Sequence, residues 1–181
     1  TLILGANTFY DHQFSENHQR IGAGVETITS ILDVRANYYN ALSGRKTNDS
    51  GTIERAMDGW DLRADYHLPI EQDINLFVSA FEFENPESAS SYKETGNKYG
   101  VDAKLGNFVL EGGYQDDNQA NDYWFGNITY VVNFGSGDKN STSSNSKSLT
   151  DMSDQLYQPV KRENKIRVVK IDASGVVVGG F

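Results

Sequence analysis

The chain reads as an all-β protein, an antiparallel transmembrane β-barrel of about eight strands with an irregular C-terminal tail. Three observations predict this: period-2 alternation along most of residues 1–134, connections that alternate short and long, and a charged rather than apolar alternate face. The bulk composition agrees. Among 181 residues there are 17 Gly, only 3 Pro and 10 Tyr, a mixture suited to closely packed strands. No stretch approaches the roughly 18–20 apolar residues that a membrane-crossing helix needs. A barrel strand escapes that test, because its apolar residues alternate with polar ones.

The elements follow in order. Leu2–Tyr10 is the first predicted strand. Gln19–Val25 sets Ile21, Ala23 and Val25 on one face against Arg20, Gly22, Gly24 and Glu26 on the other. Leu32, Val34, Ala36 and Tyr38 alternate with Asp33, Arg35, Asn37 and Tyr39. Trp60, Leu62, Ala64, Tyr66 and Leu68 alternate with Asp61, Arg63, Asp65 and His67. Ile74–Phe83 is a fifth strand, apolar on both faces through Phe77, Val78, Phe81 and Phe83. Tyr99, Val101, Ala103 and Leu105 alternate with Lys98, Gly100, Asp102 and Lys104. Phe108, Leu110, Gly112 and Tyr114 alternate with Val109, Glu111, Gly113 and Gln115. The eighth strand sets Trp124, Gly126, Ile128, Tyr130, Val132 and Phe134 against Phe125, Asn127, Thr129 and Asn133.

The connections alternate in length. Thr27–Ser30, Pro69–Asp73 and Gly106–Asn107 are short, whereas Ser43–Ala56 and Asn85–Thr95 are long and Asp11–His18 and Asp116–Asp122 are intermediate. Short periplasmic turns opposite longer outer loops give a transmembrane barrel this rhythm. A soluble sandwich or lipid-binding barrel, the competing class, has no reason to keep it. The apolar rows end in Tyr38, Trp60, Tyr66, Tyr99, Tyr114, Trp124 and Phe134, which suits the aromatic belts at the two membrane surfaces. On this reading Trp60, Leu62, Leu110, Ile128 and Val132 face lipid. Arg35, Asp61, Arg63, Asp102 and Glu111 face a watery lumen, where opposite charges can pair.

Charge divides the chain. Residues 1–134 carry 9 cationic and 20 anionic side chains, a net of −11, whereas residues 135–181 carry 7 and 5, a net of +2. The acidic body argues against nucleic acid as a partner. Residues 135–150 form a Ser/Asn/Gly-rich linker. Residues 151–181 form a tail with a basic cluster at Lys161, Arg162, Lys165, Arg167 and Lys170, too short to bury a core of its own. Within it Ile166–Ile171 could form one more short strand, and Val176–Phe181 is apolar with glycines.

Sites for chemistry are few. With no cysteine there is no thiolate nucleophile, disulfide or Cys-based metal site. His12 and His18 share a segment with Asp11 and Glu16, but their spacing follows no firm ligand pattern, so no metal is expected. Asp61, Arg63, Asp65 and His67 could be imagined as an acid–base set, yet a lumenal ion network explains them with fewer assumptions. Gly22-Ala23-Gly24 and Gly112-Gly113 open no helix and are not phosphate loops. No cofactor is implied, and the chain is read as not an enzyme.

Three segments resemble the inverse autotransporter β-domain of the intimin and invasin family of outer-membrane adhesins. They are Leu4–Glu26 (LGANTFYDHQFSENHQRIGAGVE), Ala36–Gly44 (ANYYNALSG) and Glu54–Pro69 (ERAMDGWDLRADYHLP). The first is similar to the family's Gly-Asn-x-Phe-Tyr-Asp hairpin with its Arg-x-Gly-x-Gly-x-Glu strand. The third is close to its Glu-Arg-Pro-Ala-x-Gly-Tyr-Asp-x-Arg run ending in Leu-Pro. The resemblance covers residues 1–134 well and the tail loosely.

What it implies is a barrel in the outer membrane of a Gram-negative bacterium, which displays a C-terminal passenger for cell adhesion by type V secretion. Residues 135–150 would enter the lumen from the periplasmic side and the basic tail would thread outward, or begin the passenger. The partners implied are outer-membrane lipid, the barrel-assembly machinery that reads the aromatic-ended last strand, and a host-cell receptor reached only through a passenger. The family barrel has twelve strands, of which this chain resembles the last eight. A fragment of a twelve-strand barrel is favoured over a reduced eight-strand barrel or a degenerate product. The alternative function is a passenger-less porin-like or structural barrel.

Overall fold

A computed structural model describes residues 2–87, 91–119, 122–130, 132 and 160–171, and the backbone alone of 177–180. Every regular element among them is a strand: β1 (Leu2–Gln13), β2 (His18–Thr29), β3 (Leu32–Ala41), β4 (Lys46–Thr47), β5 (Ile53–Ala56), β6 (Asp58–His67), β7 (Asp73–Glu84), β8 (Lys93–Leu105), β9 (Phe108–Asp117), β10 (Tyr123–Tyr130), β11 (Val168–Ile171) and β12 (Val177–Gly180). The eight strands expected from alternation form one antiparallel sheet in the order β1-β2-β3-β6-β7-β8-β9-β10, with β1 and β10 at its two edges. A second sheet runs β12-β11-β5-β4.

The main sheet is built from hairpins with matched registers, such as Tyr10↔Ile21 in β1–β2 and Trp60↔Glu82 in β6–β7. Its tightest turn is Gly106-Asn107, between the paired residues Leu105 and Phe108. Gly106 has φ +61° there, the positive value that a primed hairpin turn requires at its first central position.

Two connections differ from the sequence expectation. Asp11–His18 is mostly strand, because Asp11 pairs with Arg20 and Gln13 with His18, leaving only four residues in the turn. The long connection after β3 is not a plain loop, since it contains β4 and β5. Strand β5 pairs on one side with β4 (Lys46↔Glu54, Thr47↔Ile53) and on the other with β11, over 100 residues later (Val168↔Ala56, Ile171↔Ile53), a partner that no local pattern announces. The predicted short strand in the tail is this β11, and its apolar end contributes β12. Residues 135–150 and 151–159 lie outside the described residues.

The sheet is strongly curled. Arg63 of β6 reaches Glu111 of β9 at 2.7 Å, although two strands intervene. In a flat sheet those strands would lie about 14 Å apart. Phe9 of β1 meets Tyr39 of β3 with ring centroids 5.4 Å apart, and Phe77 of β7 meets Phe125 of β10 at 6.3 Å. The concave face is therefore a trough.

Polarity is inverted relative to a water-soluble protein. Convex-face side chains are exposed and apolar: Leu4 is 73% exposed, Trp124 81% and Ile128 76%. Buried on the concave face are Arg20, Asp33, Arg35, Asn37, Asp61, Asp65, Asp102 and Gln115. A soluble fold would bury the first set, at roughly 25 cal/mol per Å² gained, and hydrate the second.

Candidate functional site

The trough is paved with phenylalanines, and glycines make the paving possible. A Cβ at Gly22 would lie 2.3 Å from the Phe9 ring, one at Gly59 2.2 Å from Phe83, and one at Gly96 2.6 Å from Phe81. At Gly100 it would meet the backbone oxygen of Gly112 at 2.2 Å and the Phe77 ring at 2.9 Å. Each ring thus lies down over a glycine of the neighbouring strand, where an upright ring would fill the trough. This accounts for β7 being apolar on both faces: Val78 and Leu76 point outward, whereas Phe77, Phe81 and Phe83 line the inner wall.

Cations sit on that paving. The Arg63 guanidinium lies 3.9 Å from the Phe77 centroid, Arg20 4.3 Å from Tyr39, and Arg162 4.3 Å from Phe9. Such contacts gain strength when the cation is partly desolvated, as in this trough.

An ion network crosses the trough toward the short-turn end. Arg63 pairs with Asp65 at 2.9 Å, Asp102 at 3.0 Å and Glu111 at 2.7 Å. Arg35 joins through Asp65 at 2.7 Å and Asp33 at 3.0 Å. The tail joins this network through Lys161, and the residues after it continue along the trough to other partners. Lys161 Nζ donates to Asp102 at 2.7 Å and Asp65 at 3.2 Å, and Arg162 pairs with Asp11 at 2.8 Å. Glu163 accepts from Lys98 Nζ at 2.8 Å, and its backbone N–H donates to the Tyr39 hydroxyl at 2.8 Å. Its backbone oxygen accepts from Arg20 at 2.7 Å. The segment runs from Lys161, near the short-turn ends of β6 and β8, to β11 in the long connection.

Of the residues singled out in the sequence, Arg63, Asp102 and Glu111 meet in direct contact, and Arg35 is linked to them through Asp65. Asp61 stands apart, accepting from Asn37 at 3.0 Å and from the Tyr39 hydroxyl. All five are on the concave face. Trp60, Leu62, Ile128 and Val132 are exposed, and Leu110 is partly covered on the same convex side. Asp65, expected in a lumenal ion network with Asp61, Arg63 and His67, bridges Arg35 and Arg63, whereas the partners of the basic tail, among them Arg20 and Glu94, were not foreseen. The available signal was the sign change between the acidic body and the basic tail.

His12 Nε2 lies 2.7 Å from the Asn17 amide oxygen, and buried His18 contacts Ser43 at 3.3 Å and Glu54 at 3.7 Å. Among the described residues no group of three His, Asp or Glu is arranged to hold a metal ion.

A strand set with an apolar outside and an ionic trough is the pattern of a membrane β-barrel wall. The chain belongs to the inverse autotransporter β-domain family, whose model matches residues 1–164. An attaching and effacing protein homolog of Escherichia coli (strain K12) is 45% identical over 69 residues, 37% of this chain and 23% of that protein. The inverse autotransporter adhesin YeeJ of the same strain is 35% identical over 72 residues, 38% of this chain and 3% of that protein. The chain thus spans less than a quarter of the length of these curated relatives. A solved structure from work on the mechanism of in-meso crystallization of membrane proteins superposes with a TM-score of 0.75 at 20% identity, covering 92% of this chain and 73% of that one. That likeness concerns the fold. At the level of the family, the chain is an anchoring β-domain of bacterial outer-membrane adhesins, a class defined by no enzymatic reaction.

Proposed function

We propose that this chain forms the membrane wall and export route of an adhesin whose passenger lies C-terminal to the barrel. The observation that carries the reading is the seating of residues 160–171 in the ionic trough, directed from the short turns toward the long connections. In the family's orientation the short turns are periplasmic, so the chain would leave the cell along this path. The convex row of Trp60, Leu62, Leu110, Ile128 and Val132 then meets lipid, and Arg35, Asp61, Arg63, Asp102 and Glu111 line the lumen. Edge strands β1 and β10 are where further strands of the family's barrel would join. Its other partners would be the barrel-assembly machinery and, through the passenger alone, a host-cell receptor. No cofactor or catalytic role is proposed.

Single-channel conductance in planar bilayers tests this. A tail-filled translocator conducts poorly, and deleting residues 135–181 should raise its conductance. High conductance with the tail in place would favour the porin-like alternative. Stable folding without detergent would refute both.

A further inference from the structure

Two kinds of contact hold the tail. Residues 161–163 are held mainly by ion pairs and hydrogen bonds of the kind any nearby cation or carboxylate could make, with Arg162 also lying over the single ring of Phe9. Arg167 is held differently. Its guanidinium lies 4.3 Å from the Phe81 centroid and 4.9 Å from Phe83, pairs with Glu94, and reaches Glu163 at 3.3 Å. Its backbone oxygen accepts from Met57 N–H at 3.0 Å, continuing the β5–β11 ladder. Tyr39, Met57, Phe81, Phe83 and Val169 form one buried cluster around it.

We propose that Arg167 sets the register at which the exported segment comes to rest, acting as a positioning residue for β11 on β5. The inference rests on the threading reading given above. Backbone pairing alone cannot choose between registers two residues apart, because strand side chains repeat with period 2. The cage can choose. If the tail over-ran outward by two residues, Lys165 would replace Arg167 over Phe81 and Phe83, and Val160 would replace Arg162 over Phe9. An ammonium lacks the flat face and forked donors that two rings and a carboxylate receive together. If the tail fell short by two, Val169 would face Glu94 and leave that buried carboxylate without its cation. A single buried polar residue is a well-attested means of fixing register.

The chain has no cysteine, so introduced thiols report alone. Ala56 and Val168 are register partners, next to the hydrogen-bonded Met57–Arg167 pair. They therefore form a non-hydrogen-bonded pair, close enough for a disulfide. Ala56→Cys/Val168→Cys reports the native register, and Ala56→Cys/Ile166→Cys reports the over-run register. Val34→Cys/Ala64→Cys, register partners within the main sheet, reports that the sheet has formed. All are oxidised in isolated outer membranes and quantified on non-reducing gels.

With Arg167 present the native pair should dominate. Arg167→Ser should lower its yield at least twofold and raise the over-run pair, with Arg167→Lys in between. Moving the guanidinium, by Lys165→Arg with Arg167→Ser, should make the over-run pair the major product. Native-register yield unchanged in every variant overturns the inference and leaves threading intact. Failure of the native pair with Arg167 present, while the sheet pair forms, overturns both readings. Should Arg167→Ser cost the sheet pair, Arg167→Lys is read instead, and an unshifted register there also overturns the inference.

Discussion

Leu62 and Arg63 are chain neighbours on opposite faces of β6, and exchanging their characters tests the facing of the whole sheet. Leu62 is 45% exposed, and its register partners Ala36 and Ala80 are too small to shield it. Leu62→Arg should cost about 2–4 kcal/mol if the residue lies near the bilayer midplane. Arg63→Leu removes a cation shared by Asp65, Asp102 and Glu111. Breaking a buried pair costs about 3–5 kcal/mol. Here Lys161 still serves Asp65 and Asp102, Arg35 still serves Asp65, and the trough is partly wet, so about 2 kcal/mol is expected.

The totals are similar, so the discriminating quantity is what relieves each defect. Adding Glu111→Gln should recover part of the Arg63→Leu loss and none of the Leu62→Arg loss. Thinner bilayers, which bring Leu62 closer to the headgroups, should relieve only Leu62→Arg. Equilibrium urea unfolding in vesicles of two lipid thicknesses provides the assay. Leu62 does not face lipid if Leu62→Arg is neutral, or if both defects respond alike to lipid thickness and to Glu111→Gln.

Further outcomes are expected elsewhere. Gly100→Ala should destabilise the folded chain by about 1–3 kcal/mol in the same urea assay, because its Cβ would strike backbone atoms that cannot rotate away. Gly44→Ala, with nothing within 4 Å, is the neutral control. Lys161→Met should cost about 1 kcal/mol at low salt, since both carboxylates keep an arginine, and the loss should shrink as salt rises. Glu87 lies outside the main sheet, and its carboxyl is held below the usual 4.5 by hydrogen bonds and charge from Arg45 and then by Arg55. Its folded value is depressed, so its small contribution is present above pH 4.5 and is lost as pH falls through that lower value. Carboxyl-carbon NMR should find it titrating below 4.5, and Arg45→Gln should move it back up.

Most of the main sheet was legible in the sequence because period-2 alternation is a local signal. Ile21, Ala23 and Val25 announce their common face without knowing what lies opposite. The inner face was legible as charged and as a set of pairing ions, but the particular partners were not, because Arg63 meets Glu111 only after the sheet curls. Strands β4 and β5 were not legible either: their mutual pairing spans only two residue pairs, and the second partner of β5 lies more than 100 residues away. The phenylalanines of β7 were visible as an exception to the pattern. Their explanation lay in Gly59, Gly96 and Gly100, on the two strands that flank β7, and a ring over a neighbouring glycine leaves no mark within either strand.

Those ring-over-glycine pairs also make a statement about how this wall can vary over time. Each is a lock of two positions, Phe9 with Gly22, Phe83 with Gly59, Phe81 with Gly96 and Phe77 with Gly100. A side chain at the glycine forces the ring upright into the bore, and a small residue at the phenylalanine leaves a hole in the wall. Neither half changes safely first. Across a lineage the two positions should therefore be replaced together or stay as they are, and the bore should keep its width while the outward apolar row drifts freely.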